Sequence, residues 1–100
     1  TLLFFACFYE YETVVEYLVK HGANINKEDN NSKTPLFNAC LKGNLKIVKY
    51  LVERGADVNK ENKKGNTPLF NACLSRNKEL VKYLVEQRAN INQKDKDGDT

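Results

Sequence analysis

The sequence predicts an all-α solenoid: stacked helix–turn–helix pairs with projecting hairpin-like loops. Three observations carry that prediction. The first is repetition. Thr34-Pro35-Leu36-Phe37-Asn38-Ala39-Cys40 returns letter for letter as Thr67-Pro68-Leu69-Phe70-Asn71-Ala72-Cys73, and a looser copy, Thr1-Leu2-Leu3-Phe4-Phe5-Ala6-Cys7, stands the same 33 residues earlier. A period of this length marks an array in which each unit buries its apolar face only against its neighbours. The second is helical spacing. Ile47, Val48, Leu51 and Val52 recur at i, i+1, i+4 and i+5, which gives one apolar face, while Lys46, Lys49 and Glu53 fall on the other. The third is turn chemistry at the joints, with Gly43 and Gly55 closing helices and Lys63-Lys64-Gly65-Asn66 leading into the next threonine.

The elements of one unit follow in order along residues 34–66. Thr34 precedes Pro35, an N-cap followed by a proline at the first helical position, where the missing N–H costs nothing. Leu36, Ala39 and Cys40 form the inward stripe of a short helix ending near Lys42. Gly43 supplies a positive-φ turn and Asn44 caps the second helix. Gly55 stops that helix, Val58 points inward from an extended stretch, and the projecting loop follows. The chain thus divides into units 1–33, 34–66 and 67–99 of a single domain, and Thr100 begins a fourth register.

At this point the residues resemble the ankyrin repeat family. The Thr-Pro-Leu opening, the Ala-Cys pair and the closing Gly55-Ala56-Asp57-Val58-Asn59 carry the resemblance. Gly22-Ala23-Asn24-Ile25-Asn26 matches the same closing motif, and Ala89-Asn90-Ile91-Asn92 matches all but its glycine. There are departures. Phe4, Phe37 and Phe70 stand where the family usually has histidine, which replaces a polar link between repeats with an apolar ring. Arg88 takes the place of the terminating glycine of the third repeat, Glu10 and Arg76 the place of the turn glycine, and Leu2 that of the proline.

The resemblance implies a non-catalytic protein–protein interaction module whose partner meets the loop tips and the concave side of the first helices. The tips are then Asn30, Asn31 and Lys33; Lys63, Lys64 and Asn66; and Lys96, Asp97 and Asp99. They differ strongly among units whose framework is constant, as binding positions do and as any solvated loop also does. The concave positions are Phe8, Leu41 and Leu74, with Tyr9, Lys42 and Ser75 beside them. The apolar three either form a strip for binding hot spots or complete the core between repeats. Tyr9 and Lys42 are the strongest single candidates, since a ring beside a lysine offers apolar area and charge together. Asn26, Asn59 and Asn92 close the family motif; such asparagines can be hydroxylated, but they also hydrogen-bond within the loop.

Charge sharpens the expectation. The net +3 is small, but it divides unevenly: residues 1–33 carry three Lys against five acids (−2), residues 34–66 seven Lys/Arg against three (+4), and residues 67–99 six against five (+1). An acidic partner would therefore be steered toward the middle unit. Recognition of nucleic acid by that basic unit is a weaker reading, as is a role as the targeting or regulatory arm of a larger enzyme. The first unit is aromatic instead, with Phe4, Phe5, Phe8, Tyr9, Tyr11 and Tyr17. Solenoid ends need polar outer faces, so further repeats or a covering partner are expected there.

Other chemistry fails on spacing. His21 is the lone histidine and reads as a solvated side chain. Cys7, Cys40 and Cys73 occupy one register position. Helix layers about 8–10 Å apart exceed the roughly 7 Å that a disulfide spans, so all three read as small buried thiols, inert and suited to an intracellular, cytoplasmic setting. One His and three separated Cys lack zinc spacing, and Asp95-Lys96-Asp97-Gly98-Asp99 places its glycine fourth where a calcium loop needs it sixth. No enzyme site and no cofactor is expected. Nor does any apolar run approach the roughly 18 residues that span a bilayer.

Overall fold

The computed structural model describes residues 1–87 and Ala89. The expectations placed on Arg88, Asn90, Ile91, Asn92, Lys96, Asp97 and Asp99 lie outside the described residues.

Six helices follow one another: α1 (Leu2–Phe8), α2 (Glu12–Lys20), α3 (Pro35–Leu41), α4 (Leu45–Glu53), α5 (Pro68–Ser75) and α6 (Lys78–Glu86). They form two layers. α1, α3 and α5 pack side by side in the inner layer, each backed by its own partner, and α2, α4 and α6 touch more sparsely in the outer layer. The short inner helices keep the apolar spacing of the Leu-Phe-Asn-Ala-Cys stretch, so that Leu36, Phe37, Ala39 and Cys40 are wholly enclosed. From α4, Ile47, Val48 and Leu51 meet them, and Leu80 and Leu84 repeat that face on α6. Each such side chain contributes roughly 1.5–3 kcal/mol of burial. The first unit is thinner. Of α2 only Val15 is fully buried, with Leu18 and Val19 half-covered.

Caps divide in a way that the residue types alone do not show. Asn44 Oδ1 accepts the Ile47 N–H at 3.0 Å and Asn77 Oδ1 the Leu80 N–H at 3.2 Å, as N-caps should. Thr34 occupies the cap position with extended backbone, but its hydroxyl caps nothing. Its carbonyl accepts the Phe37 N–H at 3.0 Å, while its Oγ1 is buried without a partner among the described residues. Phe37 brings an enclosed apolar ring where a histidine would have offered a nitrogen.

The lost polar link is replaced one residue further on. Asn38 Nδ2 donates to the Phe4 carbonyl at 3.2 Å, and Asn71 Nδ2 to the Phe37 carbonyl at 3.2 Å. Each inner helix is thereby tied to the one before it. The turn joining the helices is left-handed in all three units, at Glu10 (φ 62°), Gly43 (φ 71°) and Arg76 (φ 64°). The non-glycine residues hold the regular geometry at a cost of about 1 kcal/mol each. Only Gly43 has a second reason to lack a side chain: a Cβ there would lie 3.2 Å from Ser75 Cβ and Oγ.

The cysteines correct one expectation. Cys7 and Cys40 are buried and all three thiols are free, but Cys73 is exposed. Identical register does not give identical cover. Cys7 and Cys40 lie on helices with a successor packed against them, whereas no described helix packs on the far side of α5. Burial pushes the Cys7 thiol up to about 12 and drives Cys40 upward as well, with Cys7 adding to the effect. Both therefore stay protonated and unreactive. Native protein treated with an excess of thiol reagent should lose one thiol quickly, with mass mapping placing the label on Cys73; denaturant should release the other two. Early labelling of Cys40 would contradict the packing described.

Candidate functional site

Successive loop tips are built on the same plan. In the first, Asp29 Oδ1 accepts the N–H groups of Asn31 (2.8 Å) and Lys33 (3.0 Å), and the Asp29 N–H reaches the Lys33 carbonyl at 2.9 Å. In the second, Asn62 Oδ1 accepts the N–H groups of Lys64 (2.9 Å) and Asn66 (3.0 Å), and the Asn62 N–H reaches the Asn66 carbonyl at 2.9 Å. Ser32 and Gly65 take the positive φ that closes each turn. A side-chain acceptor bonding two N–H groups ahead is a local device open to Asp and Asn alike. Sequence reading did not single out Asp29 and Asn62. Their signal was present: two acceptor side chains 33 positions apart, each just before a variable stretch.

The tips are also tied to one another. The Lys63 N–H donates to the Asn31 carbonyl at 2.9 Å. Lys60 Nζ pairs with Glu28 at 3.1 Å. Beneath them, Asn26 Nδ2 donates to the Gly55 carbonyl at 3.1 Å while its Oδ1 accepts the Asp57 N–H at 2.9 Å. Asn26 therefore clamps two units together by both ends of its amide.

Between the tips and the inner helices runs a groove of about 320 Å³. Asn31, Lys33, Lys63 and Lys64 form its outer wall, and Phe70, Asn71 and Leu74 its floor. Among the described residues no carboxylate pairs with Lys33, Lys63 or Lys64. The result is a cationic rim over a floor in which the apolar Phe70 and Leu74 flank Asn71. Asn30 is exposed at the first tip. Asn66 is corrected: it is buried beneath the tip, its backbone used in closing the turn, and it does not crown the loop.

The concave positions separate. Phe8, Leu41 and Leu74 are 37%, 40% and 58% exposed, so they line the surface and do not complete the core. Lys42 Nζ lies 4.7 Å above the Phe8 ring, and so its neighbour is Phe8 where Tyr9 was expected. Tyr9 joins Phe5, Phe8 and Tyr11 in an aromatic cluster, and it neighbours Lys42 through Phe8. Ser75 is half-buried and occupied locally: its hydroxyl donates to the Ala72 carbonyl at 2.6 Å and accepts the Asn77 N–H at 3.2 Å. Ser75 therefore does not extend the surface on which Tyr9 and Lys42 adjoin through Phe8. A single polar letter at position 75 suited an exposed contact and a helix-end bond equally well.

Elsewhere two outer-layer lysines are engaged at the surface. Lys46 pairs with Glu12 at 3.2 Å, and Lys49 Nζ sits 5.5 Å from the Tyr83 ring centre. His21 is exposed, stacked on Tyr17 with its Nδ1 2.8 Å from the Tyr17 carbonyl. Among the described residues no group of three or more His, Cys, Asp or Glu is placed to hold a metal ion. No described helix is long and apolar enough to cross a membrane.

A family model described as ankyrin repeats, in three copies, matches residues 3–95. No curated protein matches the chain.

Proposed function

Since the chain belongs to the ankyrin repeat family, whose members are generally protein-binding and typically non-catalytic, we propose that it binds an acidic, partly apolar segment of another protein in the groove between its loop tips and inner helices. The observation that carries this reading is the meeting of three unpaired lysines, Lys33, Lys63 and Lys64, with the floor of Phe70 and Leu74. Lysine ammonium groups over the Phe70 and Leu74 side chains favour a segment in which carboxylates face the tips and an aliphatic side chain faces inward. Hydrogen bonds within and between the tips hold the rim before the partner arrives, so little loop ordering is lost on binding. The partner is expected to bind more weakly as salt rises, since Lys63 and Lys64 are exposed.

The test is direct. A synthetic peptide of alternating aspartate and leucine is titrated into the labelled protein and amide shifts are followed by NMR. Shifts should concentrate on Asn31, Lys33, Lys63, Lys64 and Leu74. Reversing the rim with Lys33→Glu, Lys63→Glu and Lys64→Glu together should raise Kd about tenfold or more, equivalent to at least ~1.4 kcal/mol, with unchanged helical circular dichroism. An unaltered Kd after charge reversal would remove the proposal.

A further inference from the structure

We propose that the groove takes its partner as an extended strand, whose main chain is hydrogen-bonded by the carboxamides of Asn62, Asn66 and Asn71. This rests on the reading of the groove as the site of an acidic protein segment, and it adds what holds that segment's backbone. The three asparagines line the groove, whose walls are drawn from all three units of the chain. They are 9%, 8% and 9% exposed, so their amide ends are nearly enclosed.

Hydrogen bonding within the protein leaves these amides partly unused. Asn62 Oδ1 is engaged in the turn by the N–H groups of Lys64 and Asn66, while its Nδ2 bonds to no described residue. Asn71 Nδ2 is engaged by the Phe37 carbonyl at 3.2 Å, while its Oδ1 accepts from no described residue. Asn66 uses only its backbone, and both ends of its side chain lack a partner among the described residues. Among the described residues, Thr34 Oγ1 is the one side-chain nitrogen or oxygen both shut off from solvent and unpartnered. The spare carboxamide atoms therefore open into the groove that they line.

The register shows that the turn does not need an amide at Asn66. Its equivalent in the first tip is Lys33. Lys33 makes the same two backbone bonds, to Asp29 where Asn66 makes them to Asn62. The second tip thus replaces the ions Asp29 and Lys33 with neutral amides, each of which donates and accepts.

Those amides select the conformation of the occupant. A carboxamide carries the same kinds of donor and acceptor as a peptide group, and an extended main chain presents unpaired N–H and C=O groups along its edge. A helical segment has engaged its own internally. Extended backbone also sends successive side chains to opposite sides. With the main chain along the amides, one set of side chains meets Lys33, Lys63 and Lys64, and the alternate set meets Leu74. Strand recognition of this kind takes affinity from main-chain bonds and specificity from alternate side chains. An occupant with no main-chain groups at that depth would strip water from the amides without replacing it.

The experiment uses the alternating aspartate–leucine peptide and a set of its esters, in each of which one interior N–H is replaced by oxygen. Charge and side chains are the same throughout the set. At least one ester should raise Kd about tenfold, read by calorimetric titration. In Asn66→Ala the same ester should raise Kd by less than about threefold, because the acceptor of that N–H is gone. Asn66→Lys, which installs the first tip's residue and so keeps the turn, also lacks an acceptor and should shrink the ester effect likewise. Transferred nuclear Overhauser effects should show the strong Hα-to-next-amide contacts of extended backbone. Esters that bind as tightly as the parent peptide, an ester effect unchanged in both variants, or the successive amide–amide contacts of a helix would each overturn the strand assignment and leave the acidic-segment reading standing. A parent peptide that does not bind would remove that reading, and this one with it.

Discussion

Phe37→Ala should destabilise the protein by about 3–5 kcal/mol, the range for emptying a fully enclosed aromatic site. Phe37 is the largest completely buried side chain among the described residues. Phe4 and Phe70, its register equivalents, are only half-buried. Phe4→Ala and Phe70→Ala should therefore cost no more than about half as much. Urea unfolding followed by circular dichroism at 222 nm measures all three. The comparison is internal, since the residue type, helix position and truncation are the same, and only the cover differs. A domain whose total stability is on the order of 5–15 kcal/mol would lose a large part of it through the middle unit alone. Equal losses at the three positions would mean that enclosure by both neighbours contributes nothing.

Asn77→Ala should cost about 2 kcal/mol, the upper end for one capping residue. Asn77 uses both ends of its amide: Oδ1 accepts the Leu80 N–H at 3.2 Å, and Nδ2 donates to the Gly43 carbonyl at 2.8 Å. Alanine removes the cap of α6 and orphans a carbonyl of the preceding unit together. Asn77→Asp separates the two. The carboxylate still accepts from the helix and suits its positive end, but it cannot donate to Gly43. Its loss should fall between zero and that of alanine. If aspartate proved as costly as alanine, the cap would be worth nothing and the tie between units everything.

Much of this architecture was legible because stacking imposes one pattern on successive units. Gly43 and Asn44 announced the turn and the cap, and the α4 face announced itself by spacing. Periodicity states which positions are equivalent, however, and not what lies against them. Cys40 and Cys73 share a letter and a register, yet one is buried and the other exposed. Thr34 looked like a capping hydroxyl because threonine commonly is one. In the fold that hydroxyl is buried and has no partner among the described residues, which depends on what packs around it. The groove was half visible. The tip lysines and Leu74 were identified separately, but the turn bonds of Asp29 and Asn62 that carry those lysines to the rim over Phe70 arise from a three-dimensional loop path. Asn66 and Ser75 failed for different reasons: Asn66 is drawn in by its own backbone closing the turn, whereas the Ser75 hydroxyl serves neighbouring backbone groups.

The bonds made by Asn38, Asn71 and Asn77 each reach 34 residues back. None of them skips a unit. A force drawing the two ends of the molecule apart therefore meets these fastenings in series. The described chain should peel unit by unit, like a zip pulled from one end, with extension lengthening in steps and no single catastrophic rupture.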